Sequence, residues 1–183
     1  MIENQNTVEK AIYKININAP IEKVWSELVK TDAVLPFFFG AVCRTPDELG
    51  VGAPVAMETP DGKHRRVVGE VLAFEPPHRY AHTFKFTGYE DRPCTVTYEL
   101  TETENGVEFS LITTNVPAGT KTEKGMAQGG PFIVRTFKSV VETGKAPLGA
   151  RAMLFMFSLM APFTPKASRS ENWDFAKIQT LGA

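Results

Sequence analysis

The sequence predicts an α+β fold in which a long C-terminal helix lies on one face of an antiparallel sheet. Three observations support this. Short alternating segments with one apolar face each fill the middle of the chain and are separated by turns such as Asn105-Gly106. A strand-like segment and short helical segments precede them, and a helical pattern that ends at Gly144 follows. Strands followed by a helix are typical of α+β folds.

Composition and charge describe one ordinary globular domain. The 183 residues are 43% hydrophobic and 22% charged, and the net charge of −1 gives no field that would attract nucleic acid or an anionic membrane. The polar start MIENQNTVEK lacks the apolar stretch of a secretory signal. Cys43 and Cys94 belong to no metal-ligand spacing and are too few for a disulfide framework. We therefore expect a cytoplasmic protein with no nucleic-acid partner, no metal and no cofactor.

The first elements are a strand and two short helices. TVEKAIYKININA, residues 7–19, alternates polar and apolar side chains as a strand does. APIEKVWSELVK predicts a helix with Pro20 in its first turn and an apolar stripe at helical spacing. TDAVLPFFFG predicts a second short helix that begins at Thr31 or Asp32 and ends near Pro36.

The middle of the chain predicts about six further strands, for a total of six to seven. In HRYAHTFKF, successive side chains point to opposite faces, so the aromatic residues and one histidine share the inner face. The two following strands each have one apolar face as well. The inward side of RRVVGEVLAF is left open because both of its faces are apolar. The inward residues of interest are Tyr80, His82, Phe84, Phe86, Tyr98 and Phe109.

The last predicted element is the long helix. In GTKTEKGMAQGGPFIVRTFKSVVETGK, Phe132, Ile133 and Phe137 recur at helical spacing. Two glycines precede Pro131 within this segment. They predict either a kink there or a helix that begins only at Pro131.

Several segments carry a resemblance to a known family. INAPIEKVWSEL, VVGEVLAFEPPHRYAHTFKF and FKSVVETG resemble the helix-grip (START-like, SRPBCC-type) superfamily of lipid-transfer and birch-pollen-allergen-like proteins. More narrowly, they resemble the bacterial branch related to the C-terminal domain of the activator of the heat-shock ATPase. The resemblance covers about residues 7–145. The chain departs from the family at Phe37 to Phe39 and at Gly130, where relatives often have tryptophan, and both changes would alter the shape of a cavity.

The resemblance implies a sheet that curls around the long helix and encloses a hydrophobic cavity for a small ligand. We therefore expect residues 7–145 to form a helix-grip domain that binds a small apolar or amphipathic molecule, as a carrier or a sensor. His82 would be its orienting polar group. The residues expected to line the cavity are Tyr80, His82, Phe84, Phe86, Tyr98, Phe109, Phe38 and Phe132.

Alternatives to a ligand carrier remain open. His82 could act as the acid–base group of a cyclase-type or dehydratase-type enzyme, since a histidine titrates near neutrality. It could also be a packed core residue that is satisfied by Tyr98 or by a backbone carbonyl, with side chains filling the cavity. The chain has no Gly-x-Ser-x-Gly nucleophile elbow and no phosphate loop with a following lysine. The sequence therefore leaves open whether the protein is an enzyme.

Residues 146–183 form an apolar extension beyond the domain. The run from Met153 to Met160 has no polar stripe and lies between Arg151 and Pro162, which makes it half as long as a membrane span. We expect it to pack on its own domain or at a homodimer interface. A stress-linked, co-chaperone-like contact surface is the third interpretation. The tail SRSENWDFAKIQTLGA predicts a short capped helix with Ser170 as its cap and Trp173 and Phe175 as its anchors.

Overall fold

An antiparallel sheet forms most of this computed structural model, which describes residues 7–159 and 164–180. Met160 and Pro162 of the predicted apolar run lie outside those residues. The eight strands follow the order β1-β8-β7-β6-β5-β4-β3-β2. They are β1 (Thr7–Ile17), β2 (Val34–Leu35), β3 (Ala41–Arg44), β4 (Pro54–Glu58), β5 (Arg65–Glu75), β6 (Arg79–Phe86), β7 (Cys94–Thr103) and β8 (Gly106–Pro117). The predicted α+β class is confirmed, with slightly more strands than the expected six to seven because the two-residue β2 is one of them.

The helices occur near the start of the chain and after the last strand. Helix α1 follows β1, and the long helix α2 follows β8, as predicted. Two shorter helices come after α2. The bounds are α1 (Ile21–Leu28), α2 (Lys121–Thr143), α3 (Leu148–Leu159) and α4 (Phe175–Gln179), with 3-10 turns at Pro36–Phe38, Lys166–Ser168 and Ser170–Asn172.

The predicted second short helix at residues 31–36 is wrong in position. Asp32 has a left-handed φ of 60°, and its N–H donates to the carbonyl of Cys43 at 3.1 Å, so the chain turns into the sheet. The β-branched Val34 then pairs with Val42 in the adjacent strand. Only the 3-10 turn at Pro36–Phe38 keeps helical character in this stretch.

Helix α2 begins ten residues before Pro131 and contains it, so the interpretation of a helix that starts at Pro131 is wrong. The reason is the set of capping hydrogen bonds at the N-terminus of the helix. The Thr120 hydroxyl accepts a hydrogen bond from the Glu123 N–H at 3.2 Å, and the Glu123 carboxylate accepts one from the Gly119 N–H at 2.6 Å. This reciprocal capping satisfies donors that a helix start otherwise leaves unpaired.

The main core lies between α2 and the inner face of the sheet. Phe137 of α2 is fully buried, with its ring centroid 4.7 Å from that of Phe37 and 4.6 Å from that of Phe109. The predicted inward faces of β7 and β8 are confirmed, since Tyr98 and Leu111 are buried in the same cluster. Cys43 and Cys94 are buried free thiols whose pKa is raised by burial to about 12.

The C-terminal tail covers the outer face of β4 and β5. Val68 on that face packs with Trp173 and Ile178, while its neighbour Val67 faces the main core. Both faces of β5 are therefore buried, which explains the two apolar faces of its sequence. Helix α4 is capped by Asp174, whose carboxylate accepts from the Lys177 N–H at 2.7 Å, and the expectation of a cap at Ser170 is wrong.

Helix α3 lies partly against the 3-10 turn at Pro36–Phe38 and leaves much of its apolar surface exposed. The exposed fractions of Phe155, Met156 and Leu159 are 65%, 63% and 62%. Ala150, by contrast, is buried. Within the described ranges, no helix combines the length and hydrophobicity that a membrane span requires.

Two adjacent glycines of α2 have different surroundings. A Cβ at Gly130 would lie 2.4 Å from the Tyr13 ring of β1, which is closer than van der Waals contact permits. A Cβ at Gly129 would lie 3.7 Å from the Phe39 ring, an ordinary contact distance. Gly130 is thus required for the close approach of α2 to β1, whereas Gly129 is not.

We expect Gly130→Ala to lower the free energy of unfolding by roughly 1–3 kcal/mol, because the methyl group overpacks the contact with Tyr13. We expect Gly129→Ala to leave it unchanged or raise it by up to about 1 kcal/mol, because alanine is the better helix former. Urea unfolding of both variants measures the difference. Equal effects of the two substitutions would contradict this account.

Candidate functional site

A cavity of about 480 Å³ lies between the N-terminal half of α2 and the inner face of the sheet. Its size is within the range of small-molecule sites, and its walls are predominantly apolar. The 3-10 turn at Pro36–Phe38, helix α3 and the C-terminal tail complete the walls. The lining residues are Phe38, Phe39, Ala41, Met57, Arg66, Val67, Phe84, Phe86, Gly88, Tyr89, Val96, Tyr98, Leu111, Thr113, Gly125, Met126, Gly129, Gly130, Ile133, Phe157, Thr164, Pro165 and Ser168.

The cavity lies beside the half of α2 that presents two glycines, together with Met126, to the sheet. Gly125 and Gly129 are four residues apart and therefore lie on the same face of the helix. One to three turns further along, Val134, Phe137 and Val141 are buried in the core. The same helix thus packs tightly at its C-terminal half and leaves space at its N-terminal half.

The sequence-predicted site residues divide into two groups. Phe38, Phe84, Phe86 and Tyr98 line the cavity, whereas Tyr80, His82, Phe109 and Phe132 lie around it without lining it. Phe109 packs on Phe137, and the Phe132 ring stacks on Phe39 with a centroid distance of 4.5 Å. Whether either group contacts a ligand stays a prediction.

Tyr80, His82 and Tyr98 form a buried polar cluster beside the cavity. Their ring centroids are 5.3 Å apart for Tyr80 and His82, 5.6 Å for Tyr80 and Tyr98, and 5.9 Å for His82 and Tyr98. Strand pairing produces this arrangement, because Tyr80 lies directly opposite Tyr98 and His82 lies opposite Val96, a lining residue. Among the residues that the structure describes, Tyr80 Oη, Tyr98 Oη and His82 Nε2 are buried without a hydrogen-bond partner.

The protonation of His82 follows from its surroundings. Its Nδ1 lies 2.7 Å from the carbonyl oxygen of Thr83, so Nδ1–H donates and Nε2 is left with its lone pair. Burial lowers the pKa of His82 to about 4, although the bond to Thr83 opposes that shift. Burial also raises the pKa of Tyr80 and Tyr98 well above their usual value. At neutral pH the polar cluster therefore carries no charge, with one free acceptor and two free hydroxyls.

Sequence reasoning missed several of the lining residues. Met57 pairs with Val67 and Glu58 pairs with Arg65, so Arg66 is the extra residue of a β-bulge and has no partner on β4. A bulge shifts the inward phase of a strand, and strict alternation does not reveal it. The one signal that could have located the cavity is the spacing of Gly125 and Gly129 on α2.

Potential metal ligands do not converge in the part of the chain that the structure describes. Within residues 7–159 and 164–180, no three histidine, cysteine, aspartate or glutamate side chains are close enough to hold a metal ion.

The curled sheet, the long helix and the cavity between them define a helix-grip domain. The family model described as Activator of Hsp90 ATPase homolog 1-like protein matches residues 18–142. The chain therefore belongs to this family, and the resemblance drawn from its sequence is confirmed. A search of curated proteins finds no match.

Solved structures show the same fold. ChR145 from Cytophaga hutchinsonii is 25% identical, with a TM-score of 0.58 over 76% of this chain and 97% of that one. The Aha1 dimer from Colwellia psychrerythraea is 15% identical, with a TM-score of 0.60 over 76% of this chain and 100% of that one. CalU16 from Micromonospora echinospora is 19% identical, with a TM-score of 0.51 over 93% of this chain and 88% of that one.

The buried, neutral His82 makes stability depend on pH. Its pKa is lower in the folded state than the ordinary value of 6.5, so the unfolded chain binds more protons between pH 6.5 and 4. We therefore expect the free energy of unfolding to fall by about 3 kcal/mol from this group as the pH drops through that range.

Urea unfolding of the wild type, His82→Gln and His78→Gln at pH 7 and pH 4.5 checks this expectation. His78 is exposed and serves as the matched control. The loss between the two pH values should be smaller in His82→Gln than in the other two proteins, which share the background titration of carboxylates. An equal loss in all three would refute the assignment.

Proposed function

We propose that the protein binds a small apolar or amphipathic molecule in the cavity, as a carrier or a sensor. The observation that carries the proposal is the buried polar cluster beside a predominantly apolar space. An unpaired buried polar atom costs about 1–3 kcal/mol. Tyr98, which belongs both to the cluster and to the cavity wall, is the residue through which a ligand would reach the three atoms.

The chemistry of the cluster favours a neutral polar group at this end of the ligand. His82 Nε2 is an acceptor, and it would pair with a donor such as a hydroxyl. The Tyr80 and Tyr98 hydroxyls would donate to the oxygen of the same group. A carboxylate would meet the lone pair of Nε2, so its approach is disfavoured.

The enzyme and co-chaperone alternatives stay predictions. A general acid must hold a proton at neutral pH, and a histidine with a pKa of about 4 does not. A histidine with so low a pKa is also a weak general base, so the arrangement suits ligand orientation better than proton transfer. A protein partner, as the family description suggests, would meet the exposed apolar face of α3 rather than the cavity. A cytoplasmic location also stays a prediction.

Filling the cavity tests the proposal. We expect the wild type to bind the neutral fluorescent probe N-phenylnaphthylamine and Gly129→Leu to lose that binding, because a leucine side chain at Gly129 would extend from the helix into the cavity. Fluorescence titration measures the affinity, and thermal unfolding confirms that the variant is folded.

Ala127→Leu is the matched control, since Ala127 is exposed on the same helix and does not line the cavity. It should bind the probe as the wild type does. Equal probe binding by Gly129→Leu and Ala127→Leu would count against the cavity as the binding site. A native mass spectrum of gently purified protein gives an independent test, since a bound molecule appears as excess mass that is lost on denaturation.

We also propose a homodimer through α3. Its described residues contain a single charged side chain, that of Arg151, and Phe155, Met156 and Leu159 are mostly exposed. Two copies related by a two-fold axis would bury the same apolar face on both partners. The Colwellia relative is described as a dimer, which supports self-association of this fold but does not identify the surface.

Replacing exposed apolar residues of α3 tests the homodimer. We expect wild-type protein to sediment as a dimer and the double variant Phe155→Ser, Leu159→Ser to sediment as a monomer, because the substitutions remove apolar area from the interface. The pair Leu72→Ser, Val51→Ser is the control, since both residues are exposed outside the helix. A wild type that is monomeric at all concentrations would refute the interface.

A further inference from the structure

Arg66 differs from every other described residue that lines the cavity, because it alone is charged. Its side chain is half-buried. Among the described residues, its guanidinium makes no hydrogen bond and no ion pair within normal distance. As far as the described residues go, its five N–H donors are therefore left to water or to a ligand.

The neighbouring Arg65 has a structural role, and its contacts differ from those of Arg66. Arg65 Nε donates to the Glu58 carboxylate at 3.0 Å, and its guanidinium lies 4.2 Å from the centroid of the Phe175 ring. Arg65 thus holds the tail against the outer face of the sheet. The bulge places Arg66, one residue later, on the cavity side, where no described residue pairs with it in this way.

Nearby acidic groups do not neutralise Arg66. Burial lowers the pKa of its guanidinium and the charge of Asp61 acts against that shift, but an arginine stays protonated in either case. The Asp61 carboxylate accepts from the Thr59 hydroxyl at 2.6 Å and from the Lys63 N–H at 3.2 Å. None of the cavity-lining residues in the described ranges is an aspartate or a glutamate.

Arg66 and the polar cluster lie at different ends of the space. The Thr87 N–H donates to the Arg66 carbonyl at 3.1 Å, so Arg66 is level with Thr87, just past the end of β6. His82 is five residues back along the same strand, which corresponds to roughly 16 Å. Phe84 and Phe86 occupy the inner face between them.

Resting on the proposed function, we infer that the ligand is an amphipathic monoanion. Its carboxylate pairs with Arg66, and its apolar chain extends along Phe86 and Phe84 toward Tyr98. A guanidinium binds a carboxylate through two parallel hydrogen bonds, and this geometry fixes the orientation of the ligand as well as adding affinity. The neutral end of the cavity, with the His82 acceptor, disfavours the reverse orientation.

Competition between two molecules of equal chain length tests the inference. N-phenylnaphthylamine reports occupancy of the cavity, and decanoate or decanol displaces it. The measured quantity is the ratio of the decanol and decanoate dissociation constants. Replacing Arg66 by methionine should lower this ratio about tenfold, because the charge-assisted pair is lost while the apolar contacts remain. Arg66→Lys should keep most of the preference, since the charge is retained.

Arg135→Met is the matched control, since Arg135 is exposed on α2 away from the cavity and the variant has the same net charge as Arg66→Met. Its ratio should equal that of the wild type. An unchanged ratio in Arg66→Met, or an equal drop in Arg135→Met, would overturn the anion site while leaving the cavity as a binding site. Failure of the wild type to bind the probe would overturn the proposed function and this inference together.

Discussion

The packing of α2 against the inner face of the sheet is the constraint on which the rest of the structure depends. Its C-terminal half is fixed by Phe137, which lies between Phe37 and Phe109. Gly130 fixes the middle by allowing the Tyr13 ring to reach the helix backbone. A helix held at these points does not move into the space beside Gly125 and Gly129, since close-packed interiors resist deformation. The cavity is therefore a consequence of helix anchoring.

Much of the fold could be predicted because strands have a period of two. The inward placement of Tyr80 and His82 followed from alternation alone, and their burial agrees with it. Prediction was wrong where a different interaction dominated. Backbone geometry at Asp32 directs the chain into the sheet, and the Thr120–Glu123 cap starts α2 well before Pro131. Local propensity does not predict the turn at Asp32. The start of α2, by contrast, could have been predicted from the Thr120-x-x-Glu123 capping pattern.

The cavity wall was harder to predict than the fold. Tyr98 and Phe84 could be expected to line it from their strand phase, but Arg66 could not, because the bulge shifts that phase by one residue. Glycines such as Gly129 line the cavity because they have no side chain to fill it, and a pattern of apolar side chains does not reveal such positions. The inward face of β5 could not be predicted either, because the tail residue Trp173 covers Val68 and buries the outer face as well.

The polar groups around the cavity distinguish a binding site from imperfect packing. A domain under selection for stability alone would have phenylalanine in place of Tyr80 and Tyr98, since removing an unpaired buried hydroxyl is neutral or stabilising. Arg65 has the surroundings that stability favours, because it pairs with Glu58. Arg66 lies instead at a bulge that faces a predominantly apolar space. In the binding mode that we propose, one molecule would pair with the groups that lack a partner among the described residues, through a neutral polar group at one end and a carboxylate at the other. Polar groups that lower the stability of the folded protein are typical of sites that bind ligands.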